Sequence, residues 1–139
     1  MRGAILFASL VAGAPIGTTF AGDNMKIQIN DKIYNVQTED NDTVADIVAA
    51  LPLTMDFTRY AGHEYFSDLT FRPRAGGVQT SELMAGHLYY WGGGNAFVIN
   101  FADYDIAPYH SVHLGRILDA DAVEVLRNAP DKVSIKVLK

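Results

Sequence analysis

At 139 residues the chain is long enough for one domain with its own core and too short for two. An apolar fraction of 49% beside 19% charged residues excludes a disordered chain. A net charge of −5 without any Lys/Arg cluster argues against nucleic acid or an anionic membrane surface as partner, and the absence of cysteine removes disulfides, thiolate metal sites, a cysteine nucleophile and lipoprotein-type anchoring.

The N-terminus has the three parts of an export signal in order. Arg2 supplies the positive charge, Ala4 to Ala12 form an uncharged apolar run, and Thr19-Phe20-Ala21 is a small-x-small cleavage site before Gly22. The run is too short for a stable membrane anchor. Residues 1–21 are therefore expected to be a signal peptide and 22–139 a single domain, periplasmic or secreted. If translation begins at Met25 instead, the protein stays in the cytoplasm.

Ile27 and Ile29 alternate with polar neighbours, Asn30-Asp31 turns the chain, and Ile33 to Gln37 returns as a partner strand. Glu39 to Asp42 is an acidic loop without the glycine and distal glutamate of a calcium loop. Thr43, with Asp46 three residues on, is expected to cap a helix. Val44, Ile47, Val48 and Leu51 give that helix its buried face, and Pro52 stops it. Leu53, Met55 and Phe57 alternate as a half-buried strand, and Glu64-Tyr65-Phe66 resumes extended structure after Gly62. From Ser67 to Ser81 the pattern dissolves into an irregular loop carrying Arg72 and Arg74.

Leu88 to Trp91 and Ala96 to Phe101 read as two strands of a hairpin around Gly92-Gly93-Gly94, where glycine permits the positive φ of a sharp reversal. A loop over Asp103 to Pro108 leads to a strand from Val112 to Leu118. Asp121, with Glu124 three residues on, is expected to cap a second helix whose apolar face is Ala122, Val125, Leu126 and Ala129. Lys132 to Leu138 closes the chain as a strand. About eight short strands with two helices predict a mainly β fold, a closed antiparallel barrel whose helices cover its ends.

Met25-Lys26-Ile27-Gln28-Ile29, Ala49-Ala50-Leu51-Pro52-Leu53-Thr54-Met55, Ala85-Gly86-His87-Leu88-Tyr89-Tyr90-Trp91, Asn95 to Phe101 and Leu114-Gly115-Arg116-Ile117 occur in this order. On these segments the chain resembles the bacterial cyclophilin-like domain proteins, small relatives of the cyclophilin β-barrel. The resemblance implies that barrel, and for cyclophilins proper it implies peptidyl-prolyl isomerisation. That reaction must relieve about 18–20 kcal/mol of amide conjugation, and an arginine directed at the prolyl nitrogen does so. In the family the arginine lies in a Phe-His-Arg motif, whose counterpart here, Tyr65-Phe66-Ser67-Asp68, has none. Arg72 and Arg59 are the remaining catalytic candidates. The family's Ala-Asn stretch corresponds to Trp91-Gly92, its glutamine and paired aromatics to Ala96-Phe97-Val98, and its histidine falls near Ser111, beside His110.

His110 and His113, at odd spacing on a strand, face opposite ways, and His63 and His87 have no carboxylate or histidine at ligand spacing. No metal site and no cofactor are expected. What the residues offer is an aromatic groove around Trp91, the sole tryptophan, with Tyr65, Phe66, Phe97 and His110 as ligand-binding candidates. The expected function is an exported barrel that binds a peptide or small ligand. The alternatives are a divergent prolyl isomerase and a structural or interaction domain in which the same aromatics simply fill the barrel.

Overall fold

The computed structural model describes residues 20–139. The leader expected over residues 1–21 lies outside the described residues, except that Phe20 and Ala21 begin the first strand. In chain order, β1 (Phe20–Ile29) and β2 (Lys32–Glu39) form a hairpin, then α1 (Asp42–Ala49) leads to β3 (Leu53–Tyr60) and β4 (Glu64–Asp68). Two short strands, β5 (Gln79–Thr80) and β6 (Glu82–Leu83), precede the central hairpin of β7 (His87–Trp91) and β8 (Ala96–Asn100). After them come β9 (Tyr104–Asp105), β10 (Ser111–Ile117), α2 (Asp121–Arg127) and β11 (Lys132–Leu138).

Eight strands close a barrel in the order β2-β1-β11-β3-β4-β8-β7-β10, with β10 pairing back onto β2 and every pair antiparallel. The expected mainly β barrel with two helices is the architecture found. Alternation decides what fills it: Ile27, Ile29, Phe57, Tyr65, Leu88, Tyr90, Phe97, Ile99, Leu114, Ile135 and Val137 are all buried in one cluster inside the wall. Val44 and Ile47 of α1 and Ala122 and Leu126 of α2 add their apolar faces to it. Gly115 sits at the closing seam, paired with Thr38, beside a register shift in the pairing of β10 with β7.

Two helix caps differ from expectation. Asn41, not Thr43, caps α1, its side chain accepting the Val44 N–H at 2.8 Å. The Thr43 hydroxyl is drawn instead to the 69–78 loop, donating to the Arg74 carbonyl and accepting from the Gly76 N–H. Asp46 likewise turns outward to the Arg74 guanidinium, which holds its carboxyl down at about 2. Asp121 is the first residue of α2 rather than its cap, and Asp119 accepts the Asp121 N–H at 2.9 Å.

The central turn also works differently. Its positive φ falls on Asn95 (φ 53), a residue type that tolerates the left-handed region. The Asn95 side chain accepts from the Tyr90 hydroxyl at 2.7 Å and donates to the Leu69 and Phe71 carbonyls, fixing the turn to the loop after β4. Glycine at 93 and 94 lets the Trp91 indole lie against the turn: an added β-carbon would come within 3.0 Å and 2.8 Å of it, and the part-exposed indole would have to shift.

Candidate functional site

The strand β8, Ala-Phe-Val-Ile-Asn, is buried at every position because both of its faces are covered. Phe97 and Ile99 enter the barrel, while Ala96 and Val98 join Leu83 and Tyr89 in a second cluster on the outside of the wall, with Phe66 and Ile106 against it. Two segments lie over this outer cluster. β6 and β9 pair as a small ribbon, the Ile106 N–H donates to the Ser81 carbonyl at 2.8 Å, and the buried Tyr89 hydroxyl accepts the Met84 N–H at 2.8 Å.

Between this cover and the wall runs a groove of about 580 Å³. Val98 and Leu83 line it with Ile106, and Tyr60, Trp91, Tyr104 and Tyr109 border it. Those four are all the aromatic side chains among the exposed large hydrophobics of the described residues, with exposures of 60, 39, 50 and 63%. Surface aromatics scattered by chance would not share one groove. Trp91 and Tyr109 meet edge to face at 6.5 Å, and Tyr104 stacks on His63 at 3.9 Å.

Two adjacent titratable residues line the same groove. His63 is 3% exposed, and its Nε2 lies 2.9 Å from Glu64 Oε1, but out of line for a hydrogen bond, so both ring nitrogens lack a hydrogen-bond partner. Burial pushes the Glu64 carboxyl up to about 7 and lowers the His63 imidazole. Among the described residues no lysine or arginine lines the groove; its carboxylates are Glu64 and Asp105.

The candidate residues read from the sequence separate in space. Trp91 borders the groove, and Phe66 packs beneath it in the outer cluster. Tyr65 and Phe97 are fully buried inside the barrel, because odd register on β4 and β8 points them inward; this takes both out of the groove. The Tyr65 hydroxyl is held there by the Ala129 and Pro130 carbonyls at 2.9 and 2.6 Å. His110 is exposed and does not line the groove, although its neighbours Tyr109 and Ser111 do.

Arg59 also faces inward, toward the C-terminal end of α2. Its guanidinium donates to the Leu126, Arg127 and Ala129 carbonyls at 2.8 to 3.1 Å and lies over the Tyr65 and Phe101 rings. A cation there satisfies carbonyls that the helix end leaves open, a structural role. Arg72 is exposed and donates to the Gly92 carbonyl at 3.3 Å.

Tyr60, His63, Glu64, Tyr104 and Tyr109 were not singled out as ligand-binding residues by sequence reasoning. The one signal for them is three tyrosines at strand ends and in the 103–110 loop, where polar residues are the norm.

A second constellation lies on the same outer face. His113 Nδ1 contacts the Glu39 carboxylate, and His113 Nε2 is 2.8 Å from His87 Nδ1 across the β10–β7 pair. His87 thus has the histidine neighbour that chain spacing did not disclose. Burial first, then the charges of His113 and Arg116, hold the His87 imidazole down at about 4. Its partners account for these nitrogens, and no trio of His, Asp or Glu among the described residues is placed to hold a metal ion.

No curated protein matches this chain significantly. The solution structure of a hypothetical protein from Archaeoglobus fulgidus superimposes with a TM-score of 0.57 at 19% identity, covering 88% of this chain and 98% of that one. At that identity the likeness is one of fold. The cyclophilin-like family model matches residues 27–137, from the last three residues of β1 to the penultimate residue of β11. Closed eight-stranded wall, two helices and family match agree, and the chain belongs to the cyclophilin-like family.

Proposed function

We propose that this protein is an exported binding module that takes a peptide or small ligand into the aromatic groove on the outside of its barrel. One observation carries the reading: every exposed large aromatic side chain among the described residues borders that groove, whose volume suits a ligand site. Apolar floor, aromatic rim and a few buried polar groups are the usual make-up of such sites.

Trp91 is the sole tryptophan and borders the groove, so its emission reports occupancy directly. Titration with a panel of proline-containing peptides and small apolar ligands is expected to give saturable quenching or a blue shift. Tyr109→Ala is expected to weaken the response about tenfold, the worth of one aromatic contact of about 1.4 kcal/mol. Indifference of Trp91 across the panel would favour a structural or interaction domain.

Against the divergent-isomerase alternative stands the placement of the guanidinium groups: Arg59 is engaged at the end of α2 and neither it nor Arg72 lines the groove. Proline-peptide isomerisation is accordingly expected to run at its uncatalysed rate of tens of seconds or slower, unchanged in Arg72→Ala. Catalysis in the wild type that vanishes in that variant would overturn this reading.

Export rests on the ordered basic, apolar and small-residue segments before Gly22. Mass spectrometry of the protein from its native host is expected to give Gly22 as the first residue, and a chain beginning at Met25 would place it in the cytoplasm.

A further inference from the structure

We infer that the ligand of the groove carries a quaternary ammonium group, held among the rings that border it and by the Glu64 carboxylate. This deepens the binding reading above and rests on it.

The argument begins with charge. Glu64 and Asp105 line the groove and, among the described residues, no lysine or arginine does, so a ligand of positive charge meets attraction. The rim comes next. Phenol and indole rings present a negative face, and cations bind over such faces with an energy that grows as water is excluded. Tyr60, Trp91, Tyr104 and Tyr109 place four such rings around one groove.

A third observation is independent of both. Glu64 has a 13% exposed side chain, and among the described residues its one ion-pair contact is the buried His63, whose ring nitrogens have no hydrogen-bond partner. A carboxyl among apolar walls without a permanent counter-cation is unfavourable as an anion, and burial accordingly raises it to about 7. A neutral ligand leaves that situation as it is. A cation relieves it.

Alkylation of the cation follows from hydrogen-bond inventory. A primary ammonium brings three N–H donors and a guanidinium five, each needing an acceptor once water is expelled. Besides the Glu64 and Asp105 carboxylates and the hydroxyls of Ser111 and the tyrosines, the groove offers ring faces. A quaternary ammonium has no N–H to satisfy and is weakly hydrated, so entering an aromatic slot strands nothing.

The test uses choline, acetyl-trimethyllysine amide and 3,3-dimethylbutan-1-ol, the uncharged carbon isostere of choline, each titrated against Trp91 emission at pH 8. Choline or the lysine derivative is expected to saturate the signal, and which binds more tightly tells a free ligand from a modified side chain. The isostere is expected to bind at least tenfold more weakly. The titratable groups that share the groove with Glu64 are His63 beside it, Tyr60 of β3, Tyr104 and Asp105 of β9, and Tyr109. Binding of the cation is expected to weaken between pH 8 and pH 6 as Glu64 takes up its proton, with proton release seen by calorimetry in buffers of different ionisation enthalpy.

Glu64→Gln is expected to lose at least tenfold in affinity and to abolish the proton release. Tyr104→Phe, which keeps the ring, is expected to bind more tightly than Tyr104→Leu, and circular dichroism establishes that each variant is folded. Isostere and cation binding alike, or proline peptides binding while both cations leave Trp91 unmoved, overturns this inference and leaves the groove reading standing. Silence from every ligand removes both.

Discussion

Gly115→Ala is expected to cost about 3 kcal/mol or more, a fall in Tm of about 10 °C for a domain of this size. The reason lies at the closing seam of the barrel. Gly115 of β10 pairs with Thr38 of β2, and a β-carbon there would overlap the Gln37 carbonyl oxygen and lie 3.0 Å from the Thr38 α-carbon. Both obstacles are backbone, so no rotamer change relieves them. The strands must separate, and separation opens the β10–β2 ladder. Gly62→Ala is the control, since a β-carbon at that turn meets nothing within 4 Å. Urea denaturation of the three proteins reads the difference, and a Gly115→Ala midpoint equal to that of Gly62→Ala would show that the seam is not tight.

The second large effect is a change of sign in the pH dependence of stability. Glu64 has a folded value of about 7 against an ordinary 4.5, so the native state holds more protons than the unfolded chain between those limits. Stability therefore falls as pH rises from 4.5 to 7, and the full penalty, at most about 3 kcal/mol, persists above 7. His87 runs the other way. Its folded value of about 4 lies below the ordinary 6.5, so the native state holds fewer protons there and stability climbs with pH through that window. His63, lowered by burial, has the same sign as His87.

The ramps of Glu64 and His87 are similar in size and opposite in slope, so they nearly cancel between pH 4.5 and 6.5. Glu64→Gln removes one of them. That variant is expected to match the wild type near pH 4 and to exceed it by up to about 3 kcal/mol at pH 8, with a rising limb uncovered between. Chemical denaturation at pH 4, 5, 6, 7 and 8 measures it, and parallel profiles for the two proteins would sink the assignment. A substitution that stabilises the fold at neutral pH while weakening cation binding would mark Glu64 as a residue kept at the expense of stability.

The same geometry separates the groove from the core that holds the fold. Positioning of the groove depends on two segments laid over the outer wall, joined by the β6–β9 ribbon and by the Tyr89 hydroxyl. Beneath them the barrel core is continuous and independent of the groove residues. Changes at Tyr60, Tyr104 or Tyr109 are expected to leave the fold intact, since each is at least half exposed.

What the sequence determined by itself is the local pattern and, through it, the architecture. Alternation along 26–29, 53–57 and 132–138 marks strands, the 3.6-residue spacing of Val44, Ile47 and Leu51 marks a helix, and Asn30-Asp31 marks a turn. These signals are carried by residues a few positions apart, so one chain read in order contains them. The tertiary structure alone decided which aromatic side chains are surface and which are core. Tyr65 and Glu64 are neighbours in the chain, yet strand pleating sends one into the barrel and the other into the groove. Arg59 finds the end of a helix some 67 to 70 residues further on, His87 meets His113 only because β7 pairs with β10, and Tyr104 reaches His63 because the 103–110 segment folds over the wall. Contacts between distant segments depend on how the barrel closes, and closure is a property of all eight strands together, which no local spacing of residues records.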